Sequence, residues 1–116
     1  VDDEPALREL ARQILSHFGY SVITANSGDE ALKIFETGTN IDLLFSDIVM
    51  PGNLDGYKLA LLASKKQPNL KILLTSGYAH KNNDTLSEKD GSIILAKPYS
   101  QLELSLAVHQ ILSEGS

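Results

Sequence analysis

Six residues in this chain could do chemistry together if folding gathered them. They are Asp2 and Asp3 after Val1, Asp47 in "FSDIVMP", Thr75 and Ser76 in "LLTSG", and Lys97 in "AKPY". Carboxylates brought together without a partner repel and raise one another's pKa values. The simplest neutraliser is a hard divalent cation. Mg²⁺ accepts carboxylates, a backbone carbonyl and several waters. Lys97 adds a compact ammonium suited to a phosphoryl oxygen. In that setting a carboxylate can take a phosphoryl group as an acyl phosphate. Such transfer needs in-line placement and charge compensation more than covalent help. Asp47 would be the acceptor, the metal and Lys97 would compensate charge, and Thr75 would donate a hydrogen bond.

The elements that would position these residues follow from the apolar pattern. Pro5 suits the first turn of a helix bearing Leu7, Leu10, Ala11, Ile14, Leu15 and Phe18, and Gly19 stops it. "YSVITA" (Tyr20–Ala25) predicts a strand. Ser27 and Glu30 form a capping-box pattern before a helix with Ala31, Leu32 and Phe35, which Gly38 closes. "IDLLFSD" is a nearly continuous apolar run, as in a strand covered on both faces. Asp55 can cap a third helix with Leu59, Leu62 and Ala63, broken at Pro68-Asn69. "KILLTS" and "SIILAK" predict the fourth and fifth strands. Ser100 and Glu103 repeat the capping pattern before a last helix carrying Leu102, Leu106 and Ile111. Between Tyr78 and Gly91 the chain is polar, and a short, irregular fourth helix is expected there.

Strands alternating with helices predict an α/β domain with a doubly wound parallel sheet. Ligands of such sheets bind outside the carboxyl ends of the strands. Asp2 and Asp3 end the first strand, Asp47 the third, Thr75-Ser76 the fourth and Lys97 the fifth, so all reach one edge. Val1 stands only one residue before the acidic pair, which predicts a first strand entered partway and a longer parent chain.

The 116 residues suit one domain, 1–116, and the hydrophobic fraction of 42% with 22% charged residues is that of a globular chain. The net charge of −5 argues against direct nucleic-acid binding. There is no cysteine, hence no disulfide framework or thiolate zinc site. No apolar run is long enough to span a membrane. A cytoplasmic setting is the expectation.

The ordered set "VDDE", "FSDIVMPGNLDG", "LLTSGYA" and "AKPY" resembles the receiver domains of two-component response regulators over essentially the whole chain. The resemblance implies a flavodoxin-like fold, five strands in the order 2-1-3-4-5 and five helices. It implies that Asp47 takes a phosphoryl group from the phosphohistidine of a histidine kinase or histidine phosphotransfer domain, and that the domain then switches conformation for output. Asp3 would ligate Mg²⁺ directly, Asp2 mainly through water, and Asp47 and the carbonyl of Val49 would complete the set. The backbone at Val49 and Ser76 would bind the phosphoryl group, Thr75 would swing toward it, Lys97 would bridge to it, and the Lys97-Pro98 peptide would be cis. The family's output face implies a homodimer as a possible partner state. "TSGYA" is similar to receivers of hybrid sensor histidine kinases, which would give a membrane-anchored parent.

Departures from the family pattern are specific. Ile94 stands where many receivers carry an aromatic partner for the Thr, and "MPGNLDG" has one residue more than the shortest pattern. Val49 and Gly77 occupy the two positions that tune hydrolysis, and neither can orient a water, so slow loss of phosphate is expected.

Other readings compete. Asp2-Asp3 alone would suit a helix N-terminus, and Asp47 alone a strand-end turn. Lys97 alone is a solvated strand end. His17, His80 and His109 lack ligand spacing and are expected on the surface, while Tyr99, Phe18 and Met50 are expected to pack. A flavin carrier needs a Ser/Thr/Gly-rich phosphate loop where this chain is acidic. A phosphohydrolase with an Asp nucleophile commonly has a second acid two residues on, here Val49. A receiver fold used only for association would not need the acidic set.

Overall fold

The computed structural model describes residues 1–77, 86–89 and 92–114. Helix α1 spans Pro5–His17 and α2 spans Gly28–Glu36, followed by strand β1, Leu43–Asp47. Helix α3 (Gly56–Lys66), strands β2 (Lys71–Ser76), β3 (Leu86–Lys89) and β4 (Ser92–Ala96), and helix α4 (Gln101–Glu114) complete the order. The sheet runs β1-β2-β4-β3, with β1, β2 and β4 parallel and β3 antiparallel to β4.

The caps stand close to where the sequence puts them. Glu30 N donates to Ser27 Oγ at 3.1 Å and Lys58 N to Asp55 Oδ1 at 2.8 Å. Ser100 and Glu103 close a reciprocal box, each backbone N donating to the other's side chain at 3.0 Å. Alternation along the strands divides the core. Leu44 faces a cluster with Phe35 of α2 and Leu59 and Ala63 of α3. Leu43, Phe45, Leu73 and Leu95 face the other cluster, with Ile14 and Leu15 of α1 and Leu104 and Val108 of α4. Helices therefore cover both faces, and period-2 strands feed both cores.

Three expectations need correction. Tyr20–Ala25 forms no strand, because a strand exists through its ladder. Ala25 O accepts from Asp2 N at 3.2 Å, and among the described residues no sheet pairing includes this segment. Val1 is bonded on its other side to β1: its nitrogen donates to Phe45 O at 2.5 Å, and its carbonyl accepts from Asp47 N at 2.9 Å. The described sheet thus has four strands, not five, and a cavity of about 520 Å³ runs beside Val22, Thr24, Leu43 and Phe45. Second, the expected fourth helix lies partly outside the described residues, and its described part, Leu86–Lys89, is strand β3. Lys89 pairs with Ser92 across the sequence Asp90-Gly91, a pair that favours two-residue hairpin connections. Third, the apolar stripe of α4 includes the expected Ile111 but not Leu102 and Leu106. Both are more than half exposed, while Leu104, Ala107, Val108 and Ile111 are buried. Leu10 of α1 and Phe18, the residue that follows its end and was expected to pack, likewise face solvent.

Met50 is buried as expected, His17 and His109 are exposed, and His80 lies outside the described residues. Among the described residues no helix is long and apolar enough to cross a membrane.

Candidate functional site

The sheet register builds the site. Asp47, the last residue of β1, pairs with Thr75 on β2, and Thr75 pairs with Leu95 on β4. Lys97 follows two residues later, with its N donating to Ser76 O at 2.9 Å, and the Lys97-Pro98 peptide is cis. Val1, bonded to β1, sets Asp2 and Asp3 at the same edge. One oxygen each of Asp2, Asp3 and Asp47 lies within 4.8 Å of the others. Asp2 and Asp47 are buried, and Asp3 is exposed.

Lys97 is the cation of the cluster. Its Nζ donates to Asp47 Oδ2 at 3.0 Å and to Asp2 Oδ2 at 3.3 Å. Partial burial alone would push its pKa down, but hydrogen bonding and attraction to Asp47, then Asp2, outweigh it, so the ammonium is held above the ordinary lysine value. Asp2 is fixed from several sides. Its Oδ1 accepts from Glu4 N at 2.9 Å, and its carbonyl accepts from Arg8 Nη1 at 2.9 Å. Asp2 does not cap α1, whose N-cap is Glu4 with no side-chain cap bond: one Asp2 oxygen serves the Glu4 backbone and the other faces Lys97. Tyr99 packs edge-on against Phe45 with centroids 5.7 Å apart, and burial followed by the nearby Asp2 charge raises its pKa.

Thr75 is placed at the site but is bonded elsewhere. Its buried hydroxyl donates to Leu95 O at 2.8 Å. Ser76 is buried at the end of β2, and Val49 is 52% exposed on the loop after Asp47. Ile94, in the place of the family's aromatic, is buried.

The donor set fits a hard cation. It is all oxygen and anionic, and exposed Asp3 leaves one side for water. A residue not anticipated from sequence also belongs here. Gly56 opens α3 against the Asp47-Ile48 backbone, and its N donates to Ile48 O at 2.8 Å. The available signal was the Asp55-Gly56 pair, a helix cap followed by the residue that permits the closest approach.

A doubly wound α/β domain with an acidic cluster and a lysine at the carboxyl edge of its parallel strands defines a class: phosphoryl-accepting signalling modules. Residues 1–109 match the response regulator receiver domain, and the chain belongs to that family. Its fold is similar to the response regulator receiver protein of Sinorhizobium medicae WSM419, with TM-score 0.87 and 31% identity over 99% of this chain and 92% of that one. The response regulator protein TrrA of Thermotoga maritima, in complex with Mg²⁺-BeF, is 35% identical with TM-score 0.77, covering 95% of this chain and 93% of that one. The sensor kinase CckA of Brucella abortus (strain 2308) is 37% identical over 98% of this chain, which spans 12% of that protein. The chain likewise spans under half of a transcriptional regulator from Cyanidium caldarium, 44% of its length.

Proposed function

We propose that Asp47 is the phosphoacceptor. An Asp47 carboxylate oxygen would attack the phosphorus of a phosphohistidine on a histidine kinase or phosphotransfer protein. The new O–P bond forms as the N–P bond breaks, and the imidazole leaves with the electron pair. The observation that carries this reading is Lys97 Nζ, 3.0 Å from Asp47 Oδ2 and 3.3 Å from Asp2 Oδ2, at the carboxyl edge of the sheet. Asp3, Asp2, Asp47 and the carbonyl of Val49 would hold Mg²⁺, which when bound supplies charge compensation for the phosphoryl oxygens. Lys97 would exchange its carboxylate contacts for a phosphoryl oxygen. Thr75 would leave Leu95 O for the same group, and backbone at Val49 and Ser76 would complete its shell. The domain assists its own phosphorylation and dephosphorylation in this scheme and turns over no separate substrate.

Intact mass after incubation with acetyl phosphate and Mg²⁺ tests this against Asp47→Asn. A gain of one phosphoryl mass in the wild type alone supports it. A gain in both places the acceptor elsewhere, and no gain in either, with Mg²⁺ bound, removes Asp47 from that role.

The cavity beside Leu43 and Phe45, with Val1 bonded to β1 and Asp2 to Ala25, supports the five-stranded order 2-1-3-4-5. The similarity to the receiver domain of the hybrid histidine kinase CckA supports a hybrid kinase parent. Homodimerisation on phosphorylation is tested by sedimentation velocity of the free and phosphorylated forms.

A further inference from the structure

Two helices begin on glycine where they touch the loop after Asp47, and we infer that Gly56 and Gly28 are positioning residues for the metal and phosphoryl site. The inference rests on the proposed reading of that site. Neither glycine has the positive φ that marks Gly19, Gly38 and Gly52, so backbone conformation does not require them. Alanine is also the better helix former, so helix propensity does not favour them. What requires them is contact. A Cβ on Gly56 would overlap the carbonyl oxygen of Asp47 and stand 2.7 Å from Ile48 Cα and 3.1 Å from the carbonyl carbon of Asp47. All three are backbone atoms, so no rotamer change makes room. A Cβ on Gly28 would stand 2.7 Å from Leu54 Cβ and 2.9 Å from Leu54 O.

The loop from Ile48 to Asp55 is therefore seated against the first residues of both α2 and α3. Those helices are anchored by Phe35, Leu59 and Ala63 in one core cluster, so they do not yield easily. The depth of the loop sets where Asp47 aims and where the Val49 carbonyl lies. Restoring ordinary contact at Ile48 Cα would move backbone by about 0.7 Å, a scale at which misplacement can cost on the order of 100-fold in rate. Gly52 lies in the same loop with φ 102°, close to Asp29 of α2.

The test compares Gly56→Ala, Gly28→Ala and Gly38→Ala with the wild type by Mg²⁺ titration calorimetry, melting temperature without metal, and initial phosphorylation rate with acetyl phosphate. Gly38 has φ 84° and nothing within 4 Å of an added Cβ, so it reports backbone strain alone. Gly56→Ala is expected to weaken Mg²⁺ binding by about tenfold or more and slow phosphorylation at least as much. Gly28→Ala should act in the same direction by a few-fold, because its clash falls on Leu54, at the far end of the loop, and not on the backbone of Asp47. Gly38→Ala should lower the melting temperature and keep the wild-type Mg²⁺ affinity. Should Gly56→Ala not fold, Gly28→Ala carries the test. Wild-type affinity in the folded site variants, or losses no larger than in Gly38→Ala, overturns the inference alone. Absence of Mg²⁺ binding in the wild type overturns the site reading and the inference with it.

Discussion

Lys97→Met separates two roles of the lysine by their opposite signs. In the folded protein the ammonium touches Asp47 and Asp2, and the side chains are 14%, 10% and 9% exposed. Removing one partner of a fully buried ion pair costs roughly 3–5 kcal/mol. Water reaches this cluster through exposed Asp3, so about 2 kcal/mol is the expected loss without metal. For a domain of this size that is a fall of about 8 °C in melting temperature. Methionine keeps an unbranched apolar stem, so packing changes little.

Metal affinity should move the other way. A Mg²⁺ ion held by the proposed ligands would compete with Lys97 for the same carboxylates and repel it. Two unit charges about 4 Å apart interact by about 1 kcal/mol in water, and a divalent ion doubles this to about 2 kcal/mol. Lys97→Met should therefore bind Mg²⁺ about 30-fold more tightly, read by titration calorimetry. Mg²⁺ at about 100 times its Kd then returns about 2.7 kcal/mol, enough to erase the melting deficit. Phosphorylation by acetyl phosphate should fall nonetheless, since an ammonium is lost from the phosphoryl oxygens. Unchanged or weaker Mg²⁺ binding would refute the reasoning, because it would mean that the ion and Lys97 do not share Asp47 and Asp2.

The pH dependence of the metal-free protein follows from the same contact. Lys97 is held above the ordinary lysine value, so its stabilisation is complete below about pH 10 and is lost as pH rises through the folded value. Lys97→Met should lack this alkaline loss in a melting-temperature profile. Leu104→Ala should cost about 2–5 kcal/mol by denaturant unfolding, whereas Leu106→Ala should stay within about 0.5 kcal/mol, because Leu104 is fully buried and Leu106 is 57% exposed. Gln67→Ala should cost about 1–2 kcal/mol in the same assay, since its side chain accepts from Ile41 N at 2.9 Å and donates to Thr39 O at 2.6 Å. The phosphorylated wild type should lose its phosphoryl group over minutes to hours by intact mass, as Val49 and Gly77 offer no group to orient water. A half-life of seconds would count against that.

Legibility in the sequence followed the strength of local rules. Caps were read well because they depend on few neighbours: Ser27, Asp55 and Ser100 each bond the backbone three residues on. The helix α4 stripe was misread because "QLELSLAVHQIL" carries two apolar stripes. Leu104, Ala107, Val108 and Ile111 fit the i, i+3, i+4, i+7 pattern and are buried, while Leu102 and Leu106 lie outside it. Leu86–Lys89 was missed as a strand because "LSEK" does not alternate in hydrophobicity. Its pairing with β4 is a relation between segments, and only Asp90-Gly91 hinted at it. Tyr20–Ala25 had strand composition, yet a strand also needs a neighbour along its length.

The site was legible as a gathering of charges but not as a set of bonds. Alternating strands and helices require the strand ends to share an edge, and so Asp47, Thr75 and Lys97 could be gathered from sequence. The register that pairs Asp47 with Thr75 and Thr75 with Leu95 could not, nor could Gly56 against Asp47. The least expected contact is the Thr75 hydroxyl on Leu95 O, made inside the sheet across the β2–β4 ladder. A hydrogen bond of this kind is worth about 1 kcal/mol net. A charge-assisted bond to a phosphoryl oxygen is worth about 1.5–3 kcal/mol. With Asp47 as the proposed acceptor, the difference would favour exchange in the phosphorylated state and Leu95 before it. On the proposed reading Thr75 would sit between two acceptors whose ranking depends on the state of Asp47, and the gap of about 1 kcal/mol would be small enough to reverse when the phosphoryl group leaves.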